Sequence, residues 1–103
     1  MSFLSSQHHS FDIKLAAKYG VEEAILIHHF QHWIRINANA GRNFIDGKTW
    51  TYQKRKDIQS HFPYCNYDRV KYLCEKLVNQ GVMVSSNYNK SPFDNTNWYA
   101  FAN

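Results

Sequence analysis

The feature that most constrains the fold of this chain is an amphipathic segment over residues 67–80. Its apolar side chains recur at i, i+3, i+4, i+7 and i+8, the spacing that places them on one face of an α-helix. They are Val70, Leu73, Cys74, Leu77 and Val78. Asn66 can cap the start of this helix, and Gly81 can end it. The apolar face must pack on a core, and the alternating residues that begin at Val82 predict that a strand follows directly.

The rest of the chain predicts further helices and short strands. In order, the predicted elements are a helix over 11–19, a helix over 21–37, extended segments around the turn at 46–47, a helix over 53–62, the amphipathic helix, a strand over 82–88 and a strand over 98–101. This order predicts an α+β, mostly α-helical domain of the winged helix-turn-helix type, with a small antiparallel sheet and a wing. We expect residues 1–10 to form a flexible arm and residues 11–103 to form the domain.

Length and composition fit one globular domain. The chain has 103 residues, of which 44% are hydrophobic, enough for a single core. It contains no apolar run of the roughly 18 residues that a transmembrane helix needs, and its first ten residues do not resemble a signal peptide. We therefore expect a cytoplasmic protein with no membrane partner. Cys65 and Cys74 lack CxxC spacing, so we expect free thiols, with Cys74 facing the core.

The positive charge of the chain is concentrated in one segment. Residues 53–90 contain seven Lys or Arg and three acidic residues, whereas the remainder contains five of each. The whole net charge of +4 therefore lies in this segment. A polyanion-binding surface requires such an asymmetry, but a modestly basic face is also common in proteins that bind no nucleic acid.

The side of the amphipathic helix opposite its apolar face is the candidate binding surface. In a helix-turn-helix the second helix enters the major groove, where arginine pairs with guanine and asparagine with adenine. The preceding basic helix and the wing would contact phosphates. The candidate DNA-contacting residues are Lys54, Arg55, Lys56, Asn66, Tyr67, Arg69, Lys71, Tyr72, Lys76 and Lys90. The alternative is a solvated face, because Asp68 and Glu75 would repel phosphate and Glu75 can pair with Lys71 at i−4.

The sequence after residue 10 also resembles a known family. Several stretches are similar to the N-terminal winged-helix domain of phage and prophage replication-initiation (replisome-organiser-like) proteins. They are "DGKTWTY" (46–52), "FPY" (62–64), the Leu and Gly of "KLVNQG" and the final "NYNKSPFDNTNWYAF". The stretch "KLAAKYGVEEAILIHHFQHWI" is similar to the helix that precedes them. The resemblance implies binding of double-stranded DNA near a phage or plasmid replication origin. The resemblance implies DNA contacts by Arg55, Arg69, Lys71, Lys76 and Lys90. The alternative is a winged helix that serves protein–protein contact, as a homodimer or docked on a replication or regulatory protein, including as a phage-encoded inhibitor.

The histidines and tryptophans are predicted to have structural roles. His28 and His32 have the i, i+4 spacing of zinc ligands, but further ligands are not apparent and the glutamate of an HExxH motif is absent. Trp33, Trp50 and Trp98 fall where alternation places them in the core rather than on a surface that stacks single strands. The sequence contains no recognisable nucleophile–base pair, paired carboxylates or phosphate-binding glycine loop. We therefore expect no enzyme activity, no cofactor and no metal. A metal-dependent enzyme that uses His28 and His32 is the third alternative, after DNA binding and protein contact.

Overall fold

Four helices and five short strands make up the computed structural model, which describes residues 8–103. Most of the predicted flexible arm, residues 1–7, lies outside the described residues. The elements are α1 (Ile13–Tyr19), α2 (Val21–Asn39), β1 (Phe44–Ile45), β2 (Lys48–Thr49), β3 (Thr51–Gln53), α3 (Arg55–Ser60), α4 (Tyr67–Asn79), β4 (Met83–Ser86) and β5 (Asn97–Phe101). Helices account for nearly half of the described residues, and the sheets are small and antiparallel. The α+β class predicted from the sequence is confirmed.

Two helices begin at polar side chains that satisfy free backbone N–H groups. The Asp12 carboxylate accepts hydrogen bonds from the N–H groups of Lys14 and Leu15, at 2.8 and 3.0 Å. The Asn66 side chain accepts one from the N–H of Arg69, at 2.8 Å. Both residues have the extended backbone of a helix cap, which supplies partners for groups that the helix itself cannot pair.

The bounds of all four helices differ from the predicted ones. α1 begins two residues later, at Ile13, and α4 ends one residue earlier, at Asn79. α2 continues two residues beyond its predicted end, to Asn39, and Gly41 with a φ of 66° follows its last turn. α3 covers only the central six residues of the predicted helix, because Gln53 belongs to a strand and Lys54 has an extended backbone. Within residues 8–103, none of the helices combines the length and the apolar character that crossing a lipid bilayer requires.

The strands form a hairpin and a separate three-stranded sheet. β1 and β2 pair antiparallel around Asp46 and Gly47, whose φ angles of 54° and 77° fit a type I′ turn. The other sheet has the order β3-β5-β4, with both pairings antiparallel. Tyr99 on the central strand lies opposite Thr51 on one side and Ser85 on the other. The last strand therefore ties the segment before α3 to the segment after α4.

The core lies between α2, α3, α4 and the three-stranded sheet. Phe30, Ile58 and Leu77, one from each of these helices, are fully buried. The core cluster comprises Leu26, Ile27, Phe30, Ile58, Phe62, Cys65, Val70, Leu73, Cys74, Leu77, Met83 and Tyr99. Val78, the last residue of the predicted apolar stripe, is half-buried against this cluster. The predicted core-facing side of α4 is confirmed.

The tryptophans and cysteines also lie largely inside the protein. Trp50 is buried, and its Nε1 donates a hydrogen bond to the Ile45 carbonyl oxygen at 2.8 Å. Trp33 and Trp98 are half-buried. Cys65 and Cys74 are buried free thiols, as predicted. Burial raises the pKa of Cys74 to about 11, and burial together with the nearby Glu22 raises that of Cys65.

Candidate nucleic-acid interface

Arg69, which the sequence predicts to contact a base edge, forms an ion pair with Glu22 at the start of α2. Its Nε lies 3.1 Å from one carboxylate oxygen of Glu22 and its Nη2 lies 2.5 Å from the other. The hydrogen bonds from Arg69 lower the pKa of Glu22, and the same bonds raise the pKa of Arg69. The Nε–Nη2 edge of the guanidinium group is therefore occupied by a carboxylate, which leaves its Nη1 side for any further contact.

Lys76 has a similar structural partner. Its Nζ donates hydrogen bonds to the Glu23 carboxylate and to the backbone oxygen of Tyr19, the latter at 3.3 Å. Glu23 is buried, and a buried carboxylate without a compensating charge is strongly destabilising. The hydrogen bond to Glu23 raises the pKa of Lys76. Lys76 thus neutralises a carboxylate inside the protein rather than adding free positive charge to its surface.

The Arg55 side chain extends from the start of α3 towards α4 and is largely covered. This side chain is 23% exposed, and its Nη2 lies 3.6 Å from a carboxylate oxygen of Glu75. Its Nε and the Tyr99 hydroxyl are buried, and neither has a hydrogen-bond partner within residues 8–103. Because α3 packs against α4 here, Glu75 pairs with Arg55 and not with Lys71, the i−4 partner that the sequence suggested.

The outer face of α4 is consequently less basic than its sequence indicates. Asp68 and Tyr72 are exposed on this face, and the Arg69 guanidinium lies over the Tyr72 ring at 5.1 Å from its centroid. The side-chain oxygen of Asn66 is already used in capping the helix. Two cations that were expected to face DNA, Arg69 and Lys76, are paired with carboxylates, whereas Asp68 keeps an exposed acidic group.

An open groove of about 740 Å³ lies between the start of α3 and the loop that joins β4 to β5. Its lining includes Lys54, Arg55, Lys56, Tyr67, Phe93 and Asp94. Lys54 and Lys56 are exposed, and neither forms an ion pair with any residue in the described part of the chain. Because Arg55 is paired with Glu75, the two unpaired lysines against Asp94 leave the lining with a net positive charge. Two of the lysines without an ion pair in the described part of the chain, Lys54 and Lys56, therefore lie at this groove.

The β4–β5 loop on the far side of the groove is held in shape by side-chain hydrogen bonds. Asn89 Nδ2 donates to the backbone oxygens of Asp94 and Thr96, at 2.9 and 2.8 Å. Trp98 Nε1 donates to the side-chain oxygen of Asn89 at 2.9 Å, and the Tyr52 hydroxyl donates to the Asp94 carboxylate at 2.7 Å. Hydrogen bonds from Thr96 and then from Tyr52 lower the pKa of Asp94 to about 2. The loop therefore has a defined shape although it contains no helix or strand.

The other candidate residues are distributed around this groove. Tyr67 lines it, whereas Lys71 and Lys90 are exposed outside its lining and form no ion pair with a described residue. Phe93 was not selected from the sequence, although its side chain is 91% exposed at the groove. The available signal was a single phenylalanine in the otherwise polar loop "NKSPFDNTN".

The histidines lie together beside α2, on a different surface. The depression there is lined by His8, His9, His28, His29, His32 and His61. His28 and His32 are exposed, while His29 is half-buried and its ring centroid lies 5.3 Å from that of His61. Among residues 8–103, no three or more His, Cys, Asp or Glu side chains are arranged to hold a metal ion.

Comparison with known protein families, with characterised proteins and with solved structures finds no match for this chain. The molecule belongs structurally to the α+β class, with a three-stranded antiparallel sheet packed beside four helices. Any more specific assignment rests on the residues and contacts described above.

Proposed function

We propose that this chain is a winged-helix domain that binds duplex DNA, with the β4–β5 loop as its wing. The order of elements supports this, because α3, a short turn and α4 precede an antiparallel strand pair joined by a long loop. The positive charge between residues 53 and 90 fits a polyanionic partner. A role in initiating phage or plasmid replication, and a cytoplasmic location, extend the proposal on the strength of the sequence resemblance and composition.

The observation that carries the proposal is the pair of lysines at the groove, Lys54 and Lys56. Both are exposed, and within residues 8–103 neither is neutralised by an ion pair. Lysine side chains bind phosphate as point charges, and each contact releases counterions from the duplex. Tyr67 lines the same groove, and its hydroxyl can donate a hydrogen bond to a phosphate oxygen. The DNA backbone would thus run between α3 and the wing.

In this arrangement α4 lies along the major groove, with Lys71 and Tyr72 directed at the duplex and Lys90 contacting a further phosphate from the wing. For Arg69 we propose a positioning role in place of the base contact predicted from the sequence. Through its two hydrogen bonds to Glu22 it fixes α4 against the start of α2, so it positions the proposed DNA-binding helix without contacting a base.

Binding measured across a salt series tests this proposal. Four lysine–phosphate contacts give a slope of log affinity against log salt of about −4, at about −0.9 per phosphate. The double variant Lys54→Ala, Lys56→Ala should bind blunt duplex more weakly and flatten the slope by about 2. The double variant Lys14→Ala, Lys18→Ala removes the same charge from α1 and is the matched control. Absence of duplex binding at low salt, or equal slopes for the two double variants, would contradict the proposal.

A protein-contact or dimerisation module is the second candidate function. It is favoured by large apolar side chains exposed near α1, where Ile13 is 81% and Val21 is 52% exposed. Exposed apolar groups of this kind mark protein interfaces more often than nucleic-acid surfaces. Sedimentation of the parent and of Ile13→Glu distinguishes the two functions. A dimer that this substitution dissociates, together with no duplex binding, would favour the second.

A further inference from the structure

Phe93 is the most exposed of the large hydrophobic side chains in the described part of the chain, at 91%. It lies on the β4–β5 loop and lines the same groove as Lys54 and Lys56. Exposing an aromatic ring so completely forgoes the free energy of its burial. An intramolecular packing role therefore does not account for Phe93 in residues 8–103.

The loop backbone on both sides of this ring is held by hydrogen bonds. The N–H of Phe93 donates to the Ser91 hydroxyl, and the N–H of Asp94 donates to the Ser91 carbonyl oxygen, both at 3.2 Å. Asn89 and Tyr52 fix the backbone and the carboxylate of Asp94 on the following side. Because the loop backbone is already ordered, covering the ring costs the conformational freedom of its side chain and little of the backbone's.

We propose that Phe93 is a stacking platform for an unpaired base, and that the groove binds DNA at the edge of a duplex from which a single strand extends. The proposal rests on the function proposed above, since Lys54 and Lys56 would hold the phosphates of the same strand. Within an intact duplex the faces of the bases are covered by their neighbours. A base at an open end or in a single-stranded extension exposes its face, and all four bases have one. The expected preference is therefore for strand junctions and is tolerant of sequence.

The charges around Phe93 fit this partner. Lys54 and Lys56 lie along one side of the groove, and Asn95 and Asn97 add amide groups that can hydrogen-bond phosphate or base edges. The one acidic lining residue, Asp94, has its carboxylate turned to Tyr52 and Thr96. A lysine-flanked, exposed ring is the combination that single-strand-binding surfaces use, with cations on the backbone and an aromatic face under a base.

Fluorescence anisotropy with two probes tests the proposal: a blunt 20-base-pair duplex and the same duplex with a single-stranded extension of ten thymidines. The parent should bind the extended probe more tightly. Phe93→Ala should lose about tenfold or more in affinity for the extended probe, the lower part of the range for one stacked base, with less than a twofold change for the blunt duplex. Phe93→Tyr should restore the preference. Phe44→Ala, which removes a 68% exposed phenylalanine on β1, is the matched control.

The outcomes separate this inference from the proposed function. If the parent binds blunt duplex in a salt-dependent way and Phe93→Ala weakens both probes equally or neither, stacking is refuted while duplex binding stands. If the parent binds neither probe, both proposals are refuted. A 2-aminopurine placed beside the junction should change fluorescence with the parent and not with Phe93→Ala, and the same response from both proteins would also overturn the inference.

Discussion

His29 has one defined neutral form because of a chain of hydrogen bonds around it. Gln53 Nε2 donates to the Thr51 hydroxyl at 3.0 Å, which leaves Gln53 Oε1 facing His29 Nε2 at 2.8 Å. Because that oxygen can only accept, the neutral ring carries its proton on Nε2. Burial, together with the nearby His61 and His32, lowers the pKa of His29 to about 4, although the hydrogen bond to Gln53 acts in the opposite direction. Protonation of this ring is therefore coupled to unfolding.

The pH dependence of stability follows from this shift. In the unfolded chain His29 takes up a proton near pH 6.5, whereas in the folded chain it does so only near pH 4. The free energy of unfolding should therefore fall as the pH is lowered from about 6.5 to about 4, and the contribution of His29 should level off below that, at a total of about 3 kcal/mol. Urea unfolding at a series of pH values measures this change in the free energy of unfolding. His29→Gln should remove most of this slope, with His28→Gln as the exposed control; an unchanged slope in His29→Gln would show that other groups cause it.

At the scale of elements, the junction between α1 and α2 depends on a glycine. Gly20 ends one helix and precedes the next with a φ of 114°. A Cβ at this position would lie 2.5 Å from a carboxylate oxygen of Glu23, and that carboxylate is held in place by Lys76. Gly20→Ala thus adds backbone strain and also disturbs a buried ion pair.

We expect Gly20→Ala to lower the free energy of unfolding by about 1–3 kcal/mol, from strain alone. Gly41→Ala is the matched control, because Gly41 also has a positive φ, 66°, but a Cβ there would meet no atom within 4 Å. Gly41→Ala should cause the smaller loss, because a φ of 66° is in the left-handed region that other residues can adopt, whereas the Gly20 backbone is in a region almost restricted to glycine. Chemical denaturation of both variants checks the comparison, and equal losses would contradict it.

The attachment of α4 to the core makes a second prediction at this scale. Leu77 is completely buried between α2, α3 and the sheet. Leu77→Ala should lower the free energy of unfolding by about 2–5 kcal/mol, from lost burial and the cavity left behind. Asn79 lies two residues further along the same helix, on its exposed side, so Asn79→Ala should change the free energy of unfolding by about 0.5 kcal/mol or less. Melting curves that rank the two variants alike would mean that α4 packs through another face.

The elements were predictable where the signal is local, and the candidate site was not. The stripe on α4, the caps at Asp12 and Asn66 and the turn at Asp46 all depend on residues within a few positions of one another. The partners of Arg69 and Lys76 lie 47 and 53 residues away. Sequence spacing offers Glu75 only its i−4 neighbour, whereas the packing of α3 on α4 brings Arg55 to it. Tertiary packing therefore determines which cationic side chains remain without an ion pair.

At the scale of the whole molecule, the helices and the three-stranded sheet share one core. Tyr99 from β5 and Met83 from β4 belong to the same cluster as Phe30 and Leu77. We therefore expect one cooperative unfolding transition, with coincident curves from far-ultraviolet circular dichroism and from tryptophan fluorescence. Trp33, Trp50 and Trp98 report on α2, on the segment between the hairpin and the sheet, and on β5. A fluorescence curve displaced from the dichroism curve would show that their surroundings unfold separately from the rest of the helical structure.

The two buried cysteines make the native protein slow to react with alkylating reagents. Only the thiolate attacks such reagents, and burial both shields the sulfur atoms and suppresses the thiolate form. Cys74 is 1% exposed in the central core, whereas Cys65 is 8% exposed at the turn before α4, where its thiol donates to Glu22 at 3.6 Å. Alkylation of Cys74 therefore proceeds through openings of the core, and alkylation of Cys65 also through smaller openings of the turn. The ratio of the two alkylation rates in the unmodified chain measures how much more readily that turn opens than the core does.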